Sequence, residues 1–140
     1  MSLSARTEDL AVEQMQDDLC VYDFRNQKCH ALNKTSAQVW RLCDGKSSVD
    51  EIASGLGREL GAAADVDVTL LALKQLRNNG LLEGTDPRLE KAASVSRRSV
   101  MKKFGIAAAA SAPILLPLIE SIVAPTPAAA ISGLTTLTSF

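Results

Sequence analysis

Histidine occurs once in this chain of 140 residues, at His30, and cysteine three times, at Cys20, Cys29 and Cys43. No two cysteines form a CxxC pair and no second histidine stands at a ligand spacing. That argues against a zinc site and against a disulfide framework alike. An odd number of widely spaced cysteines reads as small apolar thiols kept reduced in a cytosol. Phosphate loop, nucleophile elbow and paired metal ligands are also missing. An enzyme reading therefore has no residues to carry it, and no cofactor or metal is expected. The N-terminal stretch MSLSARTEDLAV lacks an apolar signal core, which places the folded part, residues 1–90, in the cytoplasm.

Basic charge is scarce where a nucleic-acid binder would need it. Residues 1–90 carry ten Lys and Arg against fifteen Asp and Glu, a net of −5, whereas residues 91–140 carry five against one, a net of +4. Nonspecific affinity for nucleic acid depends on Lys and Arg neutralising phosphates, so the acidic half disfavours it. The length suits one small domain with an appendage. The composition divides the chain into a domain over residues 6–88, a basic linker over 89–103 and an apolar, Ala- and Pro-rich tail over 104–140.

Within the domain, Leu10 to Met15 alternates apolar and polar residues, as a strand does, and Leu19 to Phe24 does so with more β-formers. Arg25-Asn26-Gln27 is a turn candidate, because Asn tolerates left-handed backbone. Lys28 to Leu32 then returns antiparallel, completing a three-stranded meander that needs cover on one face. Asn33 stands at an N-cap position, with Val39, Trp40 and Cys43 on one face of the helix that follows and Asp44-Gly45 ending it. Trp40 is expected as a core anchor. Ser48 and Glu51 have the capping-box spacing for a second helix, whose Ile52, Leu56 and Leu60 recur on one side. Gly55 and Gly57 weaken that helix and Gly61 is expected to stop it. A third helix spans about Val66 to Asn79 with Leu70, Leu73 and Leu76 inward. Asn79-Gly80 closes it, and Leu81-Leu82 fold back onto the core. The expected class is α+β, a winged helix-turn-helix-like arrangement of a three-stranded antiparallel meander on three helices, followed by an apolar tail.

Tyr22-Asp23, His30-Ala31-Leu32-Asn33, Val39-Trp40, Leu42, Asp44-Gly45, Glu51-Ile52 and Gly80-Leu81-Leu82 follow one another in an order that resembles the PqqD family, small peptide-binding modules also called RiPP recognition elements. The resemblance covers roughly residues 6 to 83. It implies a non-catalytic peptide chaperone. Such a module takes the leader of a ribosomally made precursor peptide as an extra strand on its third strand and presents it to a modifying enzyme such as a radical-SAM protein or a cyclodehydratase. Independently of any family, an edge strand offers unpaired N–H and C=O groups to a disordered peptide. The edge here is Lys28, Cys29, His30 and Ala31, running to Leu32. On the third helix Leu71 is the candidate groove floor and Lys74 the candidate partner of an acidic leader residue, with the flank of Thr69 and Ala72 as the other choice. A winged-helix DNA-binding regulator is the rival reading. It would rely on Lys74 and Arg77 beside Asp67, and on a second helix where Asp50, Glu51 and Glu59 outnumber Arg58.

The tail changes character from Ser96. Arg97 and Arg98 stand in SRRSVMK, which is similar to a twin-arginine export motif, with Val100 where that motif usually has phenylalanine. Three readings stay open. The first is a membrane anchor with its basic cluster on the cytoplasmic face, although Phe104 to Ile119 is only sixteen residues, Pro113 and Pro117 would kink a helix, and Glu120 interrupts its extension. The second is an export-like or processed segment with Ala128-Ala129-Ala130 as the cleavage site, which makes the chain a recognition module fused to its own precursor-like peptide. The third is a loosely helical or disordered tail that docks on a partner.

Overall fold

In a computed structural model the chain is described over residues 3–60, 66–102 and 116–123. In order the elements are β1 (Leu3–Ala5), β2 (Leu10–Met15), β3 (Asp18–Asp23), β4 (Lys28–Leu32), α1 (Lys34–Leu42), α2 (Val49–Leu60), α3 (Val66–Asn78), β5 (Leu82–Gly84), α4 (Pro87–Glu90) and β6 (Ile119–Val123). A further helical stretch covers residues 97–102. The architecture is mixed α+β, with antiparallel sheets and helices.

The meander forms from local pattern. β2, β3 and β4 pair antiparallel in chain order. Leu19, Val21 and Asp23 of β3 join His30 and Leu32 of β4 on the buried face, which α1 covers. The turn between β3 and β4 differs in detail from expectation. Its left-handed residue is Gln27 (φ 53°), not Asn26. Asn26 is committed elsewhere, because its Nδ2 and its backbone N–H both donate to the Asp23 carboxylate, at 2.7 and 3.2 Å.

Helix boundaries follow their caps. Asn33 Oδ1 accepts the Ser36 N–H at 3.0 Å. Gly45 has φ +82° just beyond the end of α1, and the Asp44 carboxylate takes the N–H groups of Lys46 and Ser47. Ser48 and Glu51 exchange reciprocal side-chain to backbone bonds, both at 3.2 Å, at the start of α2. Gly55 has a packing reason to be small, since a Cβ there would lie 3.1 Å from a Leu42 methyl of α1. The expected stop at Gly61 lies outside the described residues. α3 ends in a Schellman arrangement, with the Leu81 N–H on the Leu76 carbonyl, the Gly80 N–H on the Arg77 carbonyl, and Gly80 at φ +72°. Trp40 is buried and its indole N–H donates to the Leu81 carbonyl at 2.9 Å.

Two pairings extend beyond the expected meander. β1 and β5 form a separate two-stranded sheet, with Leu3 opposite Gly84 and Ala5 opposite Leu82. β6, from the tail, adds a fourth strand to the meander, antiparallel to β4. The stretch read as a linker packs on the core as far as it is described: Leu89, Ala92 and Val100 are buried, and Lys74 of α3 reaches it.

Candidate functional site

The candidate site is the outer edge of β4. β3 occupies one side of that strand, and Ile119–Val123 lies along the other, with Leu32 opposite Ile119, His30 opposite Ser121 and Lys28 opposite Val123. One bond outside the named strands sets the hydrogen-bonding phase. The Asn33 N–H donates to the Leu118 carbonyl at 3.1 Å. Because strand amides alternate sides, Ala31 and Cys29 also turn their backbone groups toward β6, while Lys28, His30 and Leu32 turn theirs toward β3. His30 and Ser121 are therefore a non-hydrogen-bonded pair, the kind in which facing side chains come closest.

Side chains from four parts of the fold hold the docked segment. Asn33 Nδ2 donates to the Leu116 carbonyl at 2.7 Å, while its Oδ1 caps α1. The Pro117 carbonyl accepts from Gln75 Nε2 at 3.1 Å and from the Arg97 guanidinium at 2.9 Å. Ser121 Oγ lies 2.6 Å from His30 Nδ1 and donates to Asn79 Oδ1 at 2.9 Å. Pro117 is buried, and Leu116 and Ile119 pack against the core. The clamp thus reads three successive backbone carbonyls and one hydroxyl.

Of the residues expected at a peptide site, Lys28, Cys29, His30 and Ala31 lie on the strand that β6 joins. Leu71 is a core residue, 5% exposed. The Lys74 amine points away from β6 and donates to the Ala92 and Val95 carbonyls at 3.0 and 2.5 Å. On the other flank, Thr69 and Ala72 are buried. The helix residues that do touch β6 or its approach are Gln75 and Asn79, which follow Leu71 at i+4 and i+8 on one stripe. Two amides continuing an apolar stripe are the signal that would have pointed to them. Arg97 touches the docked segment and Arg98 is exposed.

The electrostatics of the site favour a neutral clamp. Burial lowers the His30 pKa, Lys28 and Arg6 add to that, and Asp23 opposes it. Burial alone would raise the Asp23 pKa, but hydrogen bonds from Arg6 and Asn26 outweigh it and hold the carboxyl well below the usual range. On the outer face Cys20 and Cys29 place their sulfurs 3.2 Å apart as free thiols. That contact, with burial, pushes Cys20 up to about 11. Cys43 is pushed up to about 12 by burial. At neutral pH Cys20 and Cys43 stay protonated, which makes them poor nucleophiles. Among the described residues no group of three or more His, Cys, Asp or Glu side chains could hold a metal ion. Among those residues, too, no helix is long and apolar enough to cross a membrane. The Ala128-Ala129-Ala130 site and most of the apolar run lie outside them.

Two comparisons with known proteins match the chain. The PqqD family, coenzyme PQQ synthesis protein D, matches the chain over residues 18–82. Residues 18–82 form a PqqD-family domain. Its matched span begins at β3 and ends at the start of β5, so it includes β4 and the whole of α3. A solved structure of TbiB1 in complex with the TbiA(beta) leader peptide is similar at 18% identity and a TM-score of 0.47, over 61% of this chain and 99% of that one. No curated protein matches the chain.

Proposed function

We propose that the PqqD-family domain is a non-catalytic peptide-recognition element that takes an extended segment as a strand on β4. In this reading the segment is the leader of a ribosomally made precursor, presented to a separate modifying enzyme such as a radical-SAM protein. The helices frame the groove as in a winged helix-turn-helix, but serve a peptide instead of DNA. The observation that carries the reading is the pairing of Ile119–Val123 with β4. An exposed strand edge satisfies the backbone of an incoming chain, and side-chain contacts supply selectivity.

The same pairing favours one version of this function. The occupant is part of this polypeptide, so the recognition element and a peptide it recognises are fused in one chain. Residues 124–140, beyond the docked strand, are then what the domain presents. Proline substitutions on the two paired strands test strand addition in the full-length chain. Ile122→Pro removes an N–H that faces Cys29 and frees the edge, so a labelled peptide with the sequence of residues 116–123 should bind saturably in a fluorescence anisotropy titration. Adding Ala31→Pro removes a β4 donor, the one that faces Glu120, and should abolish that binding while the circular dichroism of the fold persists. Unchanged affinity in the doubly substituted chain would overturn the edge-strand assignment.

A further inference from the structure

We infer that the β4 edge selects a hydroxyl-bearing residue, Ser or Thr, at the position opposite His30. Its ligand class is thus an extended aliphatic peptide with that hydroxyl on the helix-facing side, of which Leu116–Val123 of this chain is the resident example. The inference rests on the strand-addition reading above and adds what the strand must carry.

The argument follows the protons. Asn79 Nδ2 donates to the Gln75 carbonyl at 2.7 Å, which turns its Oδ1 toward Ser121. An amide oxygen can only accept, so the single Ser121 proton goes to Asn79. The serine oxygen then offers His30 a lone pair, and the His30 nitrogen 2.6 Å away must donate. His30 is consequently the Nδ1–H tautomer, leaving Nε2 as a bare lone pair. Nε2 is the ring nitrogen that is buried without a hydrogen-bond partner among the described residues. An unmet acceptor is the easier of the two to leave buried. A hydroxyl is the group that can accept from His30 and donate to Asn79 at once; a methyl leaves both unmet, and a carboxylate cannot donate. The ring of His30 is wholly buried, while Ser121 itself lies at the exposed rim of the contact.

Two neighbouring positions supply the rest of the specificity. Ile119 is opposite Leu32 on the same helix-facing side, and Leu116 packs on the same core. Glu120 and Ile122 point outward and are exposed, so their side chains are free to vary.

The test uses the full-length chain carrying Ile122→Pro, with labelled peptides of the sequence of residues 116–123 bearing Ser, Thr, Ala or Val at the position of Ser121. Ser and Thr peptides should bind, and the Ala and Val peptides should bind about tenfold more weakly, the size expected when the one buried donor, the His30 N–H, goes unpaired. Asn79→Ala in the protein should shrink the Ser-to-Ala difference, as a double-mutant cycle would register. Equal affinities for Ser and Ala peptides would overturn the inference while leaving strand addition intact. No binding by any peptide would overturn strand addition and the inference with it. In the unaltered chain, nitrogen NMR should find the His30 proton on Nδ1, and the Ser121→Ala chain should shift that signal; a proton on Nε2 would overturn the assignment.

Discussion

Asp23 is wholly buried, and its carboxylate stays charged because Arg6 meets it with two bonds of 2.9 Å and Asn26 adds a third of 2.7 Å. Arg6 is itself buried and also donates to the carbonyls of Glu8 and Gly80, so one guanidinium ties the hairpin to the end of α3. Neither residue lies in a local pattern that announces the pair, since they are seventeen positions apart. Removing one partner of a buried pair leaves the other charge without compensation. Arg6→Ala is expected to cost about 3–5 kcal/mol in a urea titration, well above the range of a surface ion pair. Arg25→Ala is its control, because the ion pairs of Arg25 with Glu8 and Asp9 are half exposed or more. At this scale the sequence showed its caps plainly: Asn33, Ser48 with Glu51, and Asp44-Gly45 each act on backbone within three residues. It did not show Arg6 with Asp23, or Ser121 with His30, because nothing in a strand pattern names a partner from elsewhere in the chain.

β6 is the element whose placement is expected to respond to pH. Burial beneath it holds the His30 pKa below its ordinary 6.5, with Lys28 and Arg6 pushing the same way and Asp23 against. Undocking β6 exposes the ring and lets the pKa return toward that value. The undocked state therefore binds the proton more readily, so docking is at full strength above pH 6.5 and weakens as pH falls from 6.5 toward the lowered pKa. Amide hydrogen exchange of residues 119–123, corrected for its intrinsic pH dependence, should show protection falling over that interval; protection independent of pH would remove His30 from the docking equilibrium. The three helices and the meander were legible because each has its own period and its own stops. β6 was not. Pro117 stood against a helix and Glu120 against a longer apolar run, but a five-residue apolar stretch names no strand to pair with.

For the whole molecule, strand addition as proposed makes occupation of the β4 edge an intramolecular equilibrium, because β6 belongs to the same chain. Covalent linkage within one chain gives an effective concentration on the order of millimolar. A free peptide with a dissociation constant of roughly 1 μM would then face about a thousandfold competition from the chain's own strand. The peptide of residues 116–123 should accordingly bind the unaltered chain far more weakly than the Ile122→Pro chain in the same titration. Comparable affinities would mean that the resident strand does not hold the edge. The charge division follows the same geometry: Arg97, from the basic segment, helps seat the strand through the Pro117 carbonyl.

The sequence by itself determined the elements, their caps and turns, the acidic character of the domain and the family it resembles, because all of these depend on residues near one another along the chain. Only the tertiary structure decided which edge is occupied and by what. The pairings of β1 with β5 and of β6 with β4 join segments about eighty to ninety residues apart. Such contacts are chosen by complementarity across the assembled surface. Here the edge amides of β4 and the Gln75 side chain meet the backbone of the docked segment, while Asn79 and a buried imidazole meet its serine.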